Sequence, residues 1–165
     1  MPAIVAIIGN SNSGKTTLIE KLIPELKGRG YRVATIKHTP HGMTLGDQGK
    51  DSWRHLQAGS AAAIIASPTQ IVLIKPVAPD VSLDEIARLF GANYDIILAE
   101  GFKQASAPKI EVHRKESGPL LNDIKRLIAI VTDEPLETRT RQFSLDDVKG
   151  LADLLEGGVI KAAGS

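Results

Sequence analysis

Gly9-Asn10-Ser11-Asn12-Ser13-Gly14-Lys15-Thr16 reads G-x-x-x-x-G-K-T, and each residue type in it suits one part of phosphate binding. Gly9 and Gly14 permit backbone torsions and a closeness of approach that a Cβ would block. The N–H groups between them can turn inward and form a concave anion site at a helix N-terminus, where unpaired donors and the helix dipole both favour phosphate. Lys15 is then placed to reach the β- and γ-phosphates, and the Thr16 hydroxyl, followed by Thr17, to ligate Mg²⁺. The pattern has meaning only between a strand and a helix. Here the apolar run 3–8 precedes it and the amphipathic stretch 17–23 follows. In that setting the eight residues predict a nucleoside triphosphate site; the competing reading is a glycine turn that only caps a helix.

Such a loop needs a carboxylate on a neighbouring strand to organise Mg²⁺ and water. Tyr94-Asp95-Ile96-Ile97-Leu98-Ala99-Glu100 offers one at each end. Ligands of open α/β sheets sit at the carboxyl ends of the strands, which selects Glu100 for the metal and leaves Asp95 to mark the strand start. A salt bridge or helix-cap partner is the other reading of Glu100. Asp133 follows a second buried run, in Val131-Thr132-Asp133-Glu134-Pro135. A carboxylate there can accept from guanine N1 and N2, a donor pair adenine lacks; equally it can be a turn-forming Asp ahead of Pro135. His38 and His41 are spaced like some zinc pairs, but with no cysteine and one acid nearby, Asp47, a polar loop facing a nucleotide or phosphorylated ligand fits better. Lys50 continues that loop. Asp51 is either a further acid near the metal or a helix cap, and Trp53, Arg54 and His55 read as a solvated helix face.

These candidates require elements to hold them. A helix over 15–27 ends at Gly28-Arg29-Gly30, residues 31–37 form a strand, and a short helix covers 51–58. The apolar runs 61–66 and 70–75, split by Ser67-Pro68-Thr69, predict an antiparallel hairpin. Ser82-Leu83-Asp84-Glu85 is a capping-box pattern opening a helix to about Phe90. Residues 94–99 and 127–132 are buried strands, and the alternation over 109–114 suggests an edge strand. Ser144-Leu145-Asp146-Asp147 caps a last helix that stops at Gly157-Gly158. Strands alternating with helices imply an α/β fold, a three-layer sandwich on a mostly parallel sheet with a β-hairpin insertion. The expected organisation is one phosphate-loop domain over 1–160 with a loose tail over 161–165.

Composition narrows the remaining classes. With 165 residues the chain can hold a real core, and 42% apolar with 24% charged residues is ordinary for a soluble domain. Twenty basic against 19 acidic residues give a net charge of +1, which points away from nucleic acid or an anionic membrane as the main partner. The absence of cysteine excludes disulfides, thiolate zinc and iron–sulfur ligation. No apolar run is long enough to cross a bilayer, and the first run lacks a basic region before it, so a cytoplasmic location is expected.

Taken in order, Ile36-Lys37-His38-Thr39-Pro40-His41, Gly49-Lys50-Asp51-Ser52, Ala58-Gly59-Ser60, Glu100-Gly101-Phe102-Lys103 and Thr132-Asp133-Glu134-Pro135 closely resemble the MobB family of molybdopterin-guanine dinucleotide biosynthesis adaptor proteins. The likeness runs from Ile4 to the last helix. It implies a GTP-binding homodimer with slow GTPase activity, assisting the MobA-like nucleotidyltransferase that joins a guanosine nucleotide to molybdopterin or Mo-molybdopterin. It also implies Gly9 to Thr17 on phosphate, with Lys15 and Glu100 catalytic. Thr16 and Glu100 would hold Mg²⁺, Asp133 the base, and His38, His41, Lys50 and Asp51 would form a ligand loop. Gly101 and Lys103 belong to the matching segment. The stretch Gly42-Met43-Thr44-Leu45-Gly46-Asp47 carries fewer carboxylates than is usual in that family, which weakens any metal role for this loop. A small-molecule kinase, with Arg139 and Arg141 as a lid, is the alternative. A nickel-insertion GTPase is disfavoured by the absence of cysteine and the four scattered histidines.

Overall fold

Ala3–Ile8 forms strand β1, whose side chains are almost all buried because it runs through the middle of a sheet covered on both faces. The computed structural model describes residues 1–39 and 50–163, with Lys50 by its backbone only. They fall into two compact units, Met1–His38 with Ser82–Ser165, and Thr39–Val81.

In the first unit β1 leads into helix α1 (Lys15–Gly28), then β2 (Val33–Lys37). After the second unit come helix α3 (Leu83–Ala87), β5 (Ile96–Glu100), β6 (Lys109–His113), β7 (Leu127–Thr132), β8 (Gln142–Ser144) and helix α4 (Val148–Leu155). These strands make one six-stranded sheet in the order β2-β5-β1-β6-β7-β8. Every neighbouring pair is parallel, so all carboxyl ends lie on one edge. Leu18, Ile19, Leu22 and Leu26 of α1 and Leu151, Ala152 and Leu155 of α4 bury one face against Val5, Ile7, Leu98, Val112 and Val131. On the other face Leu83 and Ala87 of α3 cover Ala34, Ile36, Ile97 and Ala99. This is the expected α/β sandwich. The capping box forms as expected, with Ser82 Oγ accepting from the Glu85 N–H and the Glu85 carboxylate accepting from the Ser82 N–H.

The second unit holds helix α2 (Lys50–Gln57) and an antiparallel hairpin of β3 (Ala63–Ala66) and β4 (Ile71–Ile74), again as expected. One face of the hairpin leaves Ile64, Ile71 and Leu73 exposed.

Three expectations are corrected. β6 is not an edge strand: it lies between β1 and β7 with all five residues buried. Its alternation arises because Lys109, Glu111 and His113 face a side covered by loops rather than by a helix. Lys109 Nζ donates to the carbonyls of Ala105, Ala107 and Lys125, and Glu111 Oε1 accepts from the Leu121 N–H at 2.7 Å. His113 Nε2 lies 3.0 Å from Glu134 Oε1. Burial raises the Glu111 carboxyl above its ordinary value, opposed by the Leu121 N–H, His113 and Lys103, and among the described residues its second oxygen has no hydrogen-bond partner. Next, Gly157-Gly158 does not end the last helix. The backbone continues as a wider turn over Glu156–Ile160 and one α turn over Lys161–Ala163, with Val159 buried in the core. Finally, Ser144 closes β8, a strand too short to show a period. The cap is Asp147, whose carboxylate accepts from the Gly150 N–H at 3.0 Å.

Candidate nucleotide-binding site

α1 starts on Gly14 in the left-handed region, φ 99° and ψ 19°, with no side-chain cap bond and no acidic residue in the first turn. Helix starts ordinarily place Ser, Thr, Asp or Asn at the cap and favour acids just inside it. Here the first-turn donors and the positive helix end are left for an anion. Asn12 also adopts a positive φ of 60°, which helps the loop curl. Ser13 is buried and its Oγ has no partner among the described residues, whereas Ser11, Asn12, Thr16 and Thr17 are exposed. Lys15 folds inside the curl, its Nζ donating to the carbonyls of Asn10 at 2.7 Å and Gly9 at 3.2 Å. Partial burial lowers its pKa; Glu100 opposes that shift, and Lys103 and Lys37 add to it. Asn10 Nδ2 donates to the Pro119 carbonyl at 2.8 Å, which ties the loop to the segment after β6.

Glu100 ends β5, paired with Ile7 of β1 on one side and Lys37 of β2 on the other. The Thr16 hydroxyl lies 3.0 Å from each Glu100 carboxylate oxygen, and Lys37 Nζ lies 3.2 Å from Oε1. A hydroxyl and a carboxylate converging at the mouth of a phosphate loop are hard oxygen donors that fit Mg²⁺. Sequence and structure therefore agree in bringing Thr16 and Glu100 together. Among the described residues no group of three or more His, Cys, Asp or Glu could hold a metal ion on its own.

His38 follows β2; its N–H donates to the Glu100 carbonyl at 3.0 Å and its ring lies 5.0 Å from the Phe102 ring. Gly101 permits this, because a Cβ there would come 3.1 Å from His38 Cβ. His41, the 42–47 stretch and the Lys50 side chain lie outside the described residues. Asp51 sits in the first turn of α2 and faces Arg54 at 3.8 Å, both side chains largely exposed. Asp95 lies at the opposite sheet end, where Arg32 holds it at 2.9 Å and lowers its pKa. Arg141 is exposed and lies over the Phe143 ring at 4.9 Å.

Asp133 directly follows β7, at the same sheet edge as Glu100, and is exposed. One of its oxygens accepts from the Lys115 N–H at 3.0 Å. β7 stands two strands from β1, about 10 Å at the usual spacing. Asp146, after β8, binds Lys21 of α1 at 2.8 Å. The residue that sequence reasoning missed is Arg114, which follows β6. A Cβ on Gly14 would lie 3.3 Å from its Nε. Nothing in the local sequence marks it, since the two residues meet only through sheet order.

A central strand that turns through a glycine-bearing loop into a helix, on an all-parallel sheet with helices on both faces, defines an α/β protein of the P-loop type. A family model described as Molybdopterin guanine dinucleotide synthesis protein B, MobB, matches residues 4–133. The chain belongs to the MobB family. It is 41% identical over 155 residues to the molybdopterin-guanine dinucleotide biosynthesis adapter protein of Haemophilus influenzae, covering 93% of this chain and 87% of that one. The protein of the same name from Escherichia coli is 36% identical over 161 residues, covering 94% and 92%. A crystal structure of a molybdopterin-guanine biosynthesis protein B superposes with a TM-score of 0.73 at 31% identity, covering 93% and 98%.

Proposed function

We propose that this chain is a Mg²⁺-dependent GTP-binding adaptor with slow GTPase activity. In molybdenum cofactor biosynthesis it assists a MobA-like nucleotidyltransferase in attaching a guanosine nucleotide to molybdopterin, acting in the cytoplasm as a homodimer. The observation that carries the nucleotide part is the convergence of Thr16 Oγ1 on both Glu100 oxygens beside Lys15, at a helix start that has no cap of its own. Family membership and the adaptor names of the relatives support the pathway. Among the described residues no helix is long and apolar enough to cross a membrane.

Thr16 and Glu100 would hold Mg²⁺, which supplies charge neutralisation at the phosphates. Lys15 adds a fixed positive charge, and Asp133 supplies two acceptor oxygens for guanine N1 and N2. No glutamine or arginine stands out in the sequence as the water-positioning or transition-state group that fast GTPases use. Slow turnover suits an adaptor whose bound state matters. Calorimetric titration with GTP and with ATP, each with Mg²⁺, tests the reading. GTP should bind more tightly than ATP, and Lys15→Ala should weaken GTP by at least about tenfold through loss of a charge-assisted contact. Equal or better ATP binding would move the small-molecule kinase to first place.

The dimer reading rests on the hairpin. Ile64 pairs directly with Leu73, both exposed with Ile71, and a two-stranded hairpin with an apolar face is marginal unless something covers it. A second copy of the same face is the occupant. Light scattering should give twice the chain mass for the native protein and the chain mass for Ile71→Asp. A native protein that stays monomeric across concentrations removes the homodimer.

A further inference from the structure

Sheet order divides the phosphate loop into two sides. Glu100 and Lys37 stand on strands to one side of β1, together with the metal candidate Thr16. Arg114, Asp133 and Asp146 follow the strands to the other side, with Arg114 nearest. If the metal side takes the β- and γ-phosphates and Asp133 takes the base, Arg114 falls between them.

Several observations show a built position. An ideal Cβ on Gly14 would lie 3.3 Å from Arg114 Nε and 3.4 Å from Nη2, so the guanidinium uses the space that glycine leaves at the start of α1. Among the described residues Nε is buried with no hydrogen-bond partner, and the buried Ser13 Oγ within the same loop is likewise unpartnered. The backbone is held firmly: Arg114 N–H donates to Ser117 Oγ at 3.1 Å, while the Ser117 N–H and Oγ–H both donate to the Arg114 carbonyl at 2.8 Å. The charge belongs to the far side from the metal. Arg114 follows β6, across β1 from Glu100 and Lys37, and Asp146, held low chiefly by Lys21, also feels it. A fixed cation with an unmet buried donor, set beside the positive end of a helix, is unfavourable until an anion is shared between them.

We propose that Arg114 is a nucleotide-binding residue that donates to the α-phosphate from the β6 side of the loop, acting on the diphosphate and triphosphate alike and not on the γ-phosphate. The proposal rests on the GTP-binding reading above. Arginine suits the role because its planar fork and fixed charge match phosphate oxygens.

The test is titration of native protein, Arg114→Ala and Arg114→Lys with GTP·Mg²⁺ and GDP·Mg²⁺, together with single-turnover GTP hydrolysis at saturation and thermal melting without nucleotide. Arg114→Ala should raise both dissociation constants by about tenfold or more and leave their ratio within about twofold. Arg114→Lys should recover part of the loss while melting like the native protein. Unchanged affinities would overturn the assignment and leave Arg114 as packing against Gly14. A loss confined to GTP, or a fall in hydrolysis with GDP binding intact, would overturn it in favour of a γ-phosphate contact. Native protein that binds neither nucleotide would defeat the underlying GTP reading itself, a result distinct from an effect limited to the variants.

Discussion

Gly9→Ala should give a protein that melts about 10 °C below the native one and whose melting point no longer rises when GTP and Mg²⁺ are added. The cause is local and severe. Gly9 has φ +145°, and a Cβ there would stand 2.3 Å from the Val112 carbonyl oxygen and 2.7 Å from Ser13 Oγ. The Val112 oxygen is backbone in β6, which is paired on both sides, so it cannot retreat. The loop must move instead, at the cost of the torsional strain and of overpacking, each about 1–3 kcal/mol. For a chain of this size about 1 kcal/mol shifts the melting point by about 2–4 °C. The displaced loop also misaligns the N–H groups aimed at phosphate. Gly28→Ala is the control: Gly28 lies in α1 with nothing among the described residues within 4 Å of its missing Cβ. There alanine should stabilise by a few tenths to about 1 kcal/mol and leave nucleotide binding intact. If Gly9→Ala melted and responded to GTP like the native protein, close approach of the loop to β6 would not be what selects glycine.

The parts of the site that could be read from sequence are those whose chemistry is contiguous. Gly9 to Thr16 are eight neighbouring residues whose strand and helix lie on either side, so the loop is legible before any fold is known. Glu100 is legible one step further away, because in a parallel sheet a carboxylate at the carboxyl end of a buried strand has few places to go. β6 reads as an edge strand because polar alternation is the usual mark of a half-exposed strand. Here the Lys109 ammonium is instead met by loop carbonyls and one Glu111 oxygen by the Leu121 N–H, partners that periodicity cannot foresee. β8 is not legible in the sequence because three residues with one apolar side chain carry no period. The last helix ran past its glycines because Val159 still had core to bury, a tertiary term stronger than the local stop signal. Arg114 was invisible for the most general reason. It lies far from Gly14 in sequence, and only the order β1-β6-β7 makes them neighbours.

That same order gives Asp133 a consequence that can be measured. Asp133→Asn should lower GTP affinity by at least about a hundredfold, make XTP the better ligand, and leave the melting point in the absence of nucleotide essentially unchanged. One oxygen of Asp133 already accepts from the Lys115 N–H at 3.0 Å, and a carboxylate oxygen has a second lone pair. The native side chain can keep that bond and still offer acceptors to guanine N1–H and to the 2-amino group. Asparagine keeps one oxygen, which is enough to hold Lys115 and hence the turn; this is why stability should survive. Its NH₂ group then faces the 2-position of the base. Against guanine, two donors oppose each other and both lose their water. Against xanthine, whose 2-position is a carbonyl, the same NH₂ finds an acceptor. The swing should therefore appear in the identity of the base and not in the phosphates, so GTP and GDP should weaken by the same factor. A variant that bound GTP as tightly as the native protein would make Asp133 a turn residue whose carboxylate serves Lys115 alone, and base selection would have to come from another part of the β7–β8 edge.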